Sequence, residues 1–150
     1  MTAINVEKDI CDIMNRYGIN ANTKYYELID KLRVEYTIIE YNGCELMGFS
    51  LKTDKAVFVH SKLDNDDKKI ILFHELYHCY RTSANDLLCN EFAAGILKMQ
   101  YSALANKFEL MCRKYGLEIM KCSDNAENMN KNMRWNNYFQ ELFSNKVAND

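Results

Sequence analysis

The chain has 150 residues, 48% of them hydrophobic, so it is long enough to form one domain with a buried core. Its 19 basic and 21 acidic residues almost cancel, which excludes binding to nucleic acid or to an anionic membrane through overall charge. No apolar run approaches the ~20 residues that span a membrane. The first residues also lack the pattern of a signal peptide, so we expect a cytoplasmic protein with no membrane partner.

Six cysteines are present, but no two of them form a C-x-x-C pair. Without an export signal, this pattern favours reduced thiols over a disulfide framework.

Two helices are predicted before the first strand. The first covers residues 4–17, where apolar residues recur on one helical face, and Gly18 follows at the position of a helix end. The second covers residues 22–33, with Asn22 or Thr23 as its N-cap.

Three strands are predicted next. Residues 34–41 are β-branched and aromatic, and residues 44–51 resume an extended pattern after the turn dipeptide at residues 42–43. This arrangement predicts a β-hairpin. A third strand is predicted over residues 56–61, and we expect its segment Ala56–Val59 to lie at the sheet edge and pair with an extended substrate.

The remainder is predicted to be helical. Acidic residues in 63–67 are suited to start one helix, a second is predicted from Asp86 to Met99, and helical patterns recur from residue 102 to 116 and over residues 135–143. The predicted fold class is α+β, with a small three-stranded, mainly antiparallel sheet flanked by helices. We expect one domain over 1–150, with a motif core at about 55–99 and a C-terminal helical part at about 102–145.

Residues 74–78 read H-E-L-Y-H in the middle of a predicted helix. Residues four apart stand on the same helical face, so His74 and His78 can both direct an imidazole nitrogen at one metal ion. The adjacent Glu75 is then placed to take a proton from an attacking water as general base. The pattern predicts a zinc hydrolase site, although the same residues also suit the polar side of an ordinary helix.

Catalytic zinc usually has three protein ligands, so the motif requires one more donor. The candidates are Asp86, Glu91, Cys89 and His60. Asp86 ranks first because its helical face also carries two alanines, which permit close helix packing. Glu91 lies about 140° around that helix from Asp86 and ranks second. An N-cap is the alternative for Asp86, and on spacing alone it is the favoured one; a packed thiol is the alternative for Cys89, and a surface position for His60.

The segment over residues 56–97 resembles the ImmA/IrrE family of small zinc metallopeptidases, which occur in phages, mobile elements and bacterial stress-response systems. That family has a helix of the type F-x-x-A-H-E-L-G-H, followed by one of the type E-x-x-A-N-x-F-A-A-x-L-L-M-P. The residues of this chain that match are Phe73, His74, Glu75, Leu76 and His78 in the first helix and Asn90, Phe92, Ala93, Ala94, Ile96 and Leu97 in the second.

The resemblance implies a zinc-dependent endopeptidase with a zincin-like motif helix packed on the following helix. It implies that His74, His78 and Asp86 bind Zn²⁺ and that the protein partner is a helix-turn-helix repressor. Asp86 is one methylene shorter than the usual Glu. Tyr77 replaces the usual Gly, and we assign it a catalytic role in which its hydroxyl faces a substrate oxyanion or its ring narrows the cleft.

Two further functions are compatible with the sequence. The first is a catalytically weak or inactive metallopeptidase-like module that acts by binding another protein. The second is direct binding to DNA, which ranks last because no basic stripe or recognition helix is evident. The sequence does not indicate an oligomeric state.

Overall fold

In a computed structural model, which describes residues 3–118, the chain folds into five helices around one three-stranded sheet. This confirms the predicted α+β class. The elements are α1 Val6–Tyr17, α2 Tyr25–Leu32, β1 Thr37–Tyr41, β2 Gly48–Leu51, β3 Ala56–His60, α3 Asn65–Tyr80, α4 Asp86–Ile96 and α5 Tyr101–Tyr115. The helix predicted over residues 135–143 and Cys122 lie outside the described residues.

The sheet is mixed, and its strand order is β1-β3-β2. β3 pairs in parallel with β1 and antiparallel with β2. The predicted hairpin is therefore wrong, because β1 and β2 lie on opposite sides of β3. All five residues of β3 are buried, and a strand with no polar face is best covered in the centre of a sheet. The central position also overturns the expectation that Ala56–Val59 forms a substrate-binding edge, since both edges of β3 are already paired.

α3 is the central helix of the fold and packs against β2, β3 and α4. Every residue from Asp67 to Cys79 is buried. Six of these thirteen residues are polar or charged, and buried polar groups need partners inside the protein. Lys68 donates a hydrogen bond to Oε1 of Glu40, and Lys69 donates one to the Ala21 carbonyl oxygen.

Side-chain caps determine where α3 and α4 begin. Oδ1 of Asp64 accepts a hydrogen bond from the Asp67 backbone N–H at 2.9 Å. Oδ1 of Asn85 accepts one from the Leu88 backbone N–H, also at 2.9 Å. Each bond satisfies a donor that the first helical turn leaves without a partner.

The first two helices differ in how well their ends were predicted. α1 ends as expected at Gly18, which adopts a left-handed conformation with φ 65°. The predicted cap of α2 was wrong: the N-cap residue is Lys24, and it makes no side-chain cap bond. The hydroxyl of Thr23 instead accepts a hydrogen bond from the Asn20 backbone N–H.

α4 packs on α3, α1 and α5. A Cβ atom at Gly95 would lie 2.4 Å from Cδ1 of Ile10, so the absence of a side chain allows α1 to approach α4 closely. α4 ends at Ile96, earlier than the predicted Met99, and Lys98 adopts a positive φ of 57° just beyond it. The helix therefore ends without the proline that closes the corresponding ImmA/IrrE pattern.

No helix within residues 3–118 has the length and apolar character that crossing a membrane requires. No disulfide joins the five cysteines within residues 3–118, as predicted.

Candidate metal centre

The two histidines of the H-E-L-Y-H motif lie one turn apart on the buried surface of α3. His74 is 4% exposed and His78 is fully buried. Their ring centroids are 5.0 Å apart, with the ring planes at 80° to each other. Both side chains therefore enter one small space between α3 and α4.

Asp86 completes this group from the first position of α4. Its Oδ1 atom lies 3.2 Å from Nε2 of His74 and 3.1 Å from Nε2 of His78. One carboxylate oxygen thus faces both imidazoles. The Asp86 side chain is 26% exposed, so it is also the member of the group that is most accessible to solvent.

Asp86 is not the N-cap of α4, although spacing alone favoured that role. Asn85 provides the cap, which places Asp86 one residue further on, inside the first turn of the helix. The capping requirement of α4 is met without the Asp86 carboxylate. Sequence analysis did not consider Asn85, a residue type with a strong N-cap preference.

The outer nitrogen of each imidazole has its own hydrogen-bond acceptor. Nδ1 of His74 lies 2.7 Å from Oδ1 of Asn90, and Nδ1 of His78 lies 3.2 Å from the carbonyl oxygen of Ala84. When a metal ion binds Nε2, the single N–H of the neutral imidazole is on Nδ1, where these oxygens accept it. Both Nε2 atoms then direct a lone pair towards Asp86. This is the arrangement by which metal-binding histidines are commonly oriented.

The two Nε2 atoms and the carboxylate oxygen form a donor set that needs a cation. Three electron-rich atoms lie close together, and their repulsion is relieved only by a proton or a metal ion between them. Two ligands at 2.0–2.1 Å from a tetrahedral zinc ion are about 3.3 Å apart. The observed Nε2–Oδ1 separations of 3.1 and 3.2 Å are close to that value and are also ordinary hydrogen-bond lengths, so these residues can accommodate either a shared proton or a zinc ion.

A second candidate set of metal ligands has Cys89 in place of Asp86. His74, His78 and Cys89 offer ligand atoms that all lie within 4.8 Å of one another. However, Sγ of Cys89 lies 3.1 Å from Nδ1 of His78, on the edge of the ring opposite to Asp86. An ion between the two Nε2 atoms would meet Asp86 and not the sulfur. We therefore favour Asp86 as the third ligand.

The carboxylate of Glu75 is buried beside the two histidines and is only 2% exposed. Its Oε1 atom has no hydrogen-bond partner among residues 3–118. A Cβ atom at Gly48 would lie 3.6 Å from Cγ of Glu75 and 2.3 Å from Ile71, so a residue without a side chain leaves room for α3 against β2. A buried carboxylate oxygen without a donor is costly, and this one is available to bind a water or a substrate.

Burial and charge shift the pKa values of this group. Burial raises the pKa of Glu75, and the nearby histidines oppose that shift. For His74, burial acts to lower the pKa, but the hydrogen bond that its ring donates to Asp86 and the negative charges of Glu75 and Asp86 together raise it. In the absence of a metal ion, a proton on Nε2 of His74 is therefore favoured.

Tyr77 makes its contacts in the core with Asp9 and Phe92, which does not support its predicted catalytic role. The side chain is fully buried, its ring stacks on Phe92 with centroids 4.4 Å apart, and its hydroxyl donates a hydrogen bond to Oδ2 of Asp9 at 2.6 Å. Arg81 also binds both carboxylate oxygens of Asp9. The hydroxyl thus helps to attach α1 to α3, and its proton is not presented to a substrate.

The other two candidate ligands lie elsewhere. His60 is buried at the end of β3, where Nδ1 accepts a hydrogen bond from the Lys62 backbone N–H and Nε2 contacts the Cys44 carbonyl oxygen. It is not the surface residue that we expected. Glu91 is exposed, which agrees with its predicted position away from the inner face of α4.

The fifth helix covers part of the site, a role of the C-terminal helices that the sequence left open. The ring of Phe108 packs edge-on against His74, with centroids 6.1 Å apart. α5 is held by contacts near its end: the hydroxyl of Tyr115 donates to Oδ2 of the fully buried Asp67 at 2.6 Å. The apolar spacing of α5 predicted a helix but did not indicate which surface it covers.

Comparisons with protein-family models, with curated proteins and with solved structures found no match to this chain. A proposal about its function therefore depends on the geometry of this site and on the motif itself.

Proposed function

We propose that this chain is a zinc-dependent endopeptidase that cleaves a protein partner. The observation that carries the proposal is the convergence of Nε2 of His74, Nε2 of His78 and Oδ1 of Asp86, each histidine being 3.1 to 3.2 Å from the carboxylate. Glu75, whose Oε1 atom has no hydrogen-bond partner among residues 3–118, lies next in sequence to His74. Ligands and a base are thus present within one turn of α3 and the start of α4.

Each residue has a definite part in hydrolysis. His74, His78 and Asp86 would hold the zinc ion, which when bound acidifies a water and polarises a carbonyl group. Glu75 accepts a proton from the attacking water and later transfers it to the leaving amine. The raised pKa of Glu75, caused by burial, suits it to the first step because a stronger base is a better proton acceptor.

The partner is proposed from the resemblance to the ImmA/IrrE family. It implies a helix-turn-helix transcriptional repressor of a phage or mobile element, whose cleavage would release the genes that it represses. A flexible segment of that repressor is the expected substrate, since backbone must be unfolded to enter a site between two helices.

A second candidate is a protein-binding module without strong peptidase activity. It is favoured by the closed character of the site, because His74, Glu75 and His78 are 4%, 2% and 0% exposed. Phe108 also packs against His74. In this case the metal centre would stabilise the fold, and the partner would bind at the surface.

A pair of variants separates these functions. Glu75→Gln preserves the shape of the side chain but removes the base, while Glu91→Gln changes an exposed acid of α4 as the matched control. A candidate helix-turn-helix repressor is incubated with each zinc-loaded protein, and the products are identified by mass spectrometry. We expect cleavage by the wild type and by Glu91→Gln, and a ~10²- to 10⁴-fold slower reaction with Glu75→Gln.

Zinc content and repressor binding are measured on the same samples. If Glu75→Gln keeps one zinc ion per chain and binds the repressor without cleaving it, the endopeptidase is supported. Cleavage by Glu75→Gln at the wild-type rate would rule out the assigned base. Binding of the repressor by the wild type, with no cleavage at any zinc concentration, would favour the binding module.

A further inference from the structure

Cys89 lies against the outer edge of the His78 ring. Its Sγ atom is 3.1 Å from Nδ1 of His78, and both side chains are fully buried. The carbonyl oxygen of Ala84 approaches the same nitrogen from 3.2 Å. The outer edge of this imidazole is thus in contact with a sulfur atom as well as an oxygen atom, whereas Asp86 faces its inner edge.

We propose that Cys89 is a positioning residue of the metal centre, which orients His78 for metal binding without being a ligand itself. The inference rests on the proposed zinc site and adds to it a residue to which neither the motif nor the family resemblance assigns a role.

The contacts of the His78 ring explain how the sulfur acts. When Nε2 of His78 binds a metal ion, the single N–H of the neutral ring is on Nδ1, where both the Ala84 oxygen and the Cys89 sulfur are close enough to accept it. A half-turn of the ring would place a carbon atom against both acceptors and lose these interactions. The two contacts therefore favour the orientation in which Nε2 faces Asp86 and accepts a metal ion.

The spacing of α4 makes this arrangement possible. Asp86, Cys89 and Asn90 lie within little more than one helical turn, so all three reach the imidazoles of α3. Asp86 contacts both inner nitrogens, Asn90 contacts the outer nitrogen of His74, and Cys89 contacts the outer nitrogen of His78. Each histidine thus has its own outer partner from the same helix.

Direct ligation by Cys89 is the alternative, and it requires a different ring orientation. The sulfur is on the Nδ1 side of His78, while Asp86 is on the Nε2 side. A metal ion bound to both the sulfur and His78 would have to displace the Ala84 contact and give up Asp86. Ligation and positioning therefore predict different spectra for a bound metal ion.

Cobalt(II) provides a spectroscopic test, because a thiolate ligand adds an intense near-ultraviolet charge-transfer band that nitrogen and oxygen ligands do not. The metal-free full chain is titrated with Co²⁺ and then with Zn²⁺, for the wild type and for Cys89→Ala and Cys89→Ser. Cys79→Ala is the matched control, since its buried sulfur contacts the Ala56 carbonyl oxygen of the sheet. Thermal denaturation of each metal-free variant establishes that it is folded.

We expect visible cobalt bands without a charge-transfer band in the wild type. Cys89→Ala should bind zinc about 10-fold more weakly, as is typical when a partner of a ligand is lost. Cys79→Ala should keep the wild-type affinity, and Cys89→Ser, whose hydroxyl also accepts a hydrogen bond, should recover part of the loss.

Two results would overturn the positioning role. An intense charge-transfer band that disappears in Cys89→Ala would make Cys89 a ligand, and equal zinc affinities for the wild type and both folded Cys89 variants would make it a packing residue. Failure of the zinc site itself would be recognised separately, because the wild type would then bind neither metal. Since no substrate is used, the outcome does not depend on peptidase activity.

Discussion

Oδ1 of Asp86 lies 3.1 Å from Nε2 of His78, and it can do so because the neighbouring Asn85 caps α4. The two adjacent polar residues thus have different roles. Asn85 satisfies the start of the helix, while Asp86 directs its carboxylate into the space between α3 and α4. The shorter side chain of aspartate is sufficient here since α4 packs directly on α3.

Asp86→Asn should greatly weaken zinc binding. The amide keeps the size of the side chain but loses the negative charge that offsets the charge of the ion. We expect a larger loss of affinity than the ~10- to 100-fold that removal of an outer partner causes. Isothermal titration calorimetry with Zn²⁺ measures it, with Glu91→Gln as control. An unchanged affinity in Asp86→Asn would show that another residue provides the third ligand.

Asn90→Ala should weaken zinc binding by ~10- to 100-fold, which is the usual effect of losing a partner that orients a ligand. Its Oδ1 accepts the Nδ1 proton of His74 at 2.7 Å, so the substitution removes the contact that orients this ring. Competition with a fluorescent zinc chelator gives the affinity. A folded Asn90→Ala protein that retains wild-type affinity would show that His74 is oriented by its packing alone.

Zinc affinity should fall with decreasing pH because the proton and the metal ion compete for Nε2 of His74. The pKa of His74 is raised above the ordinary value of 6.5 by Asp86 and Glu75, whose effects exceed the opposing effect of burial. We therefore expect the loss to begin above pH 6.5 and to continue below it, with one proton taken up for each zinc ion released. Titrations at several pH values measure this slope. A flat profile from pH 8 to pH 6 would contradict the assignment of His74.

Without zinc the same pKa shift has the opposite effect on folding stability. A raised pKa in the folded state stabilises the protein below pH 6.5, and this contribution is lost as pH rises through the folded-state pKa. The melting temperature of metal-free protein should therefore decrease as pH increases from 6.5, while stabilisation by added zinc increases. Differential scanning fluorimetry at saturating and zero zinc tests both trends. A metal-free melting temperature that rises over this range would contradict the prediction.

Tyr77→Phe should destabilise the fold but leave zinc affinity unchanged. The substitution removes the hydrogen bond to Asp9, a buried carboxylate that keeps its hydrogen bonds from Arg81. Loss of a bond to a buried charged group costs about 1.5–3 kcal/mol. Urea denaturation gives the change in free energy, and calorimetry gives the zinc affinity. A variant with unchanged stability but reduced zinc affinity would show that Tyr77 contributes to metal binding.

Local sequence signals predicted the parts of the structure that depend on neighbouring residues. The helical spacing of His74 and His78 and the acidic start of α3 are examples, since both depend on contacts within a turn. The inward position of Asp86 was also predicted from its helical face. That Asp86 does not cap α4 was not predicted, because Asn85 and Asp86 are adjacent and both residue types suit the N-cap.

The incorrect predictions of how the elements pack concern contacts between segments that are far apart in the sequence. The turn at residues 42–43 suggested a hairpin, but the fully buried β3 takes the central place between β1 and β2. The direction of Tyr77 depends on Asp9, which is 68 residues away in sequence. The packing of Phe108 on His74 is likewise a contact between distant helices, and no local pattern specifies it.

The most direct test of the metal centre is an anomalous diffraction measurement on crystals of the zinc-loaded chain, at wavelengths on both sides of the zinc absorption edge. We predict one strong peak about 2.0–2.2 Å from Nε2 of His74, Nε2 of His78 and Oδ1 of Asp86, with Cys89 outside the coordination sphere. A peak that includes the sulfur of Cys89 in place of Asp86, or no peak between α3 and α4 at saturating zinc, would contradict the proposed site.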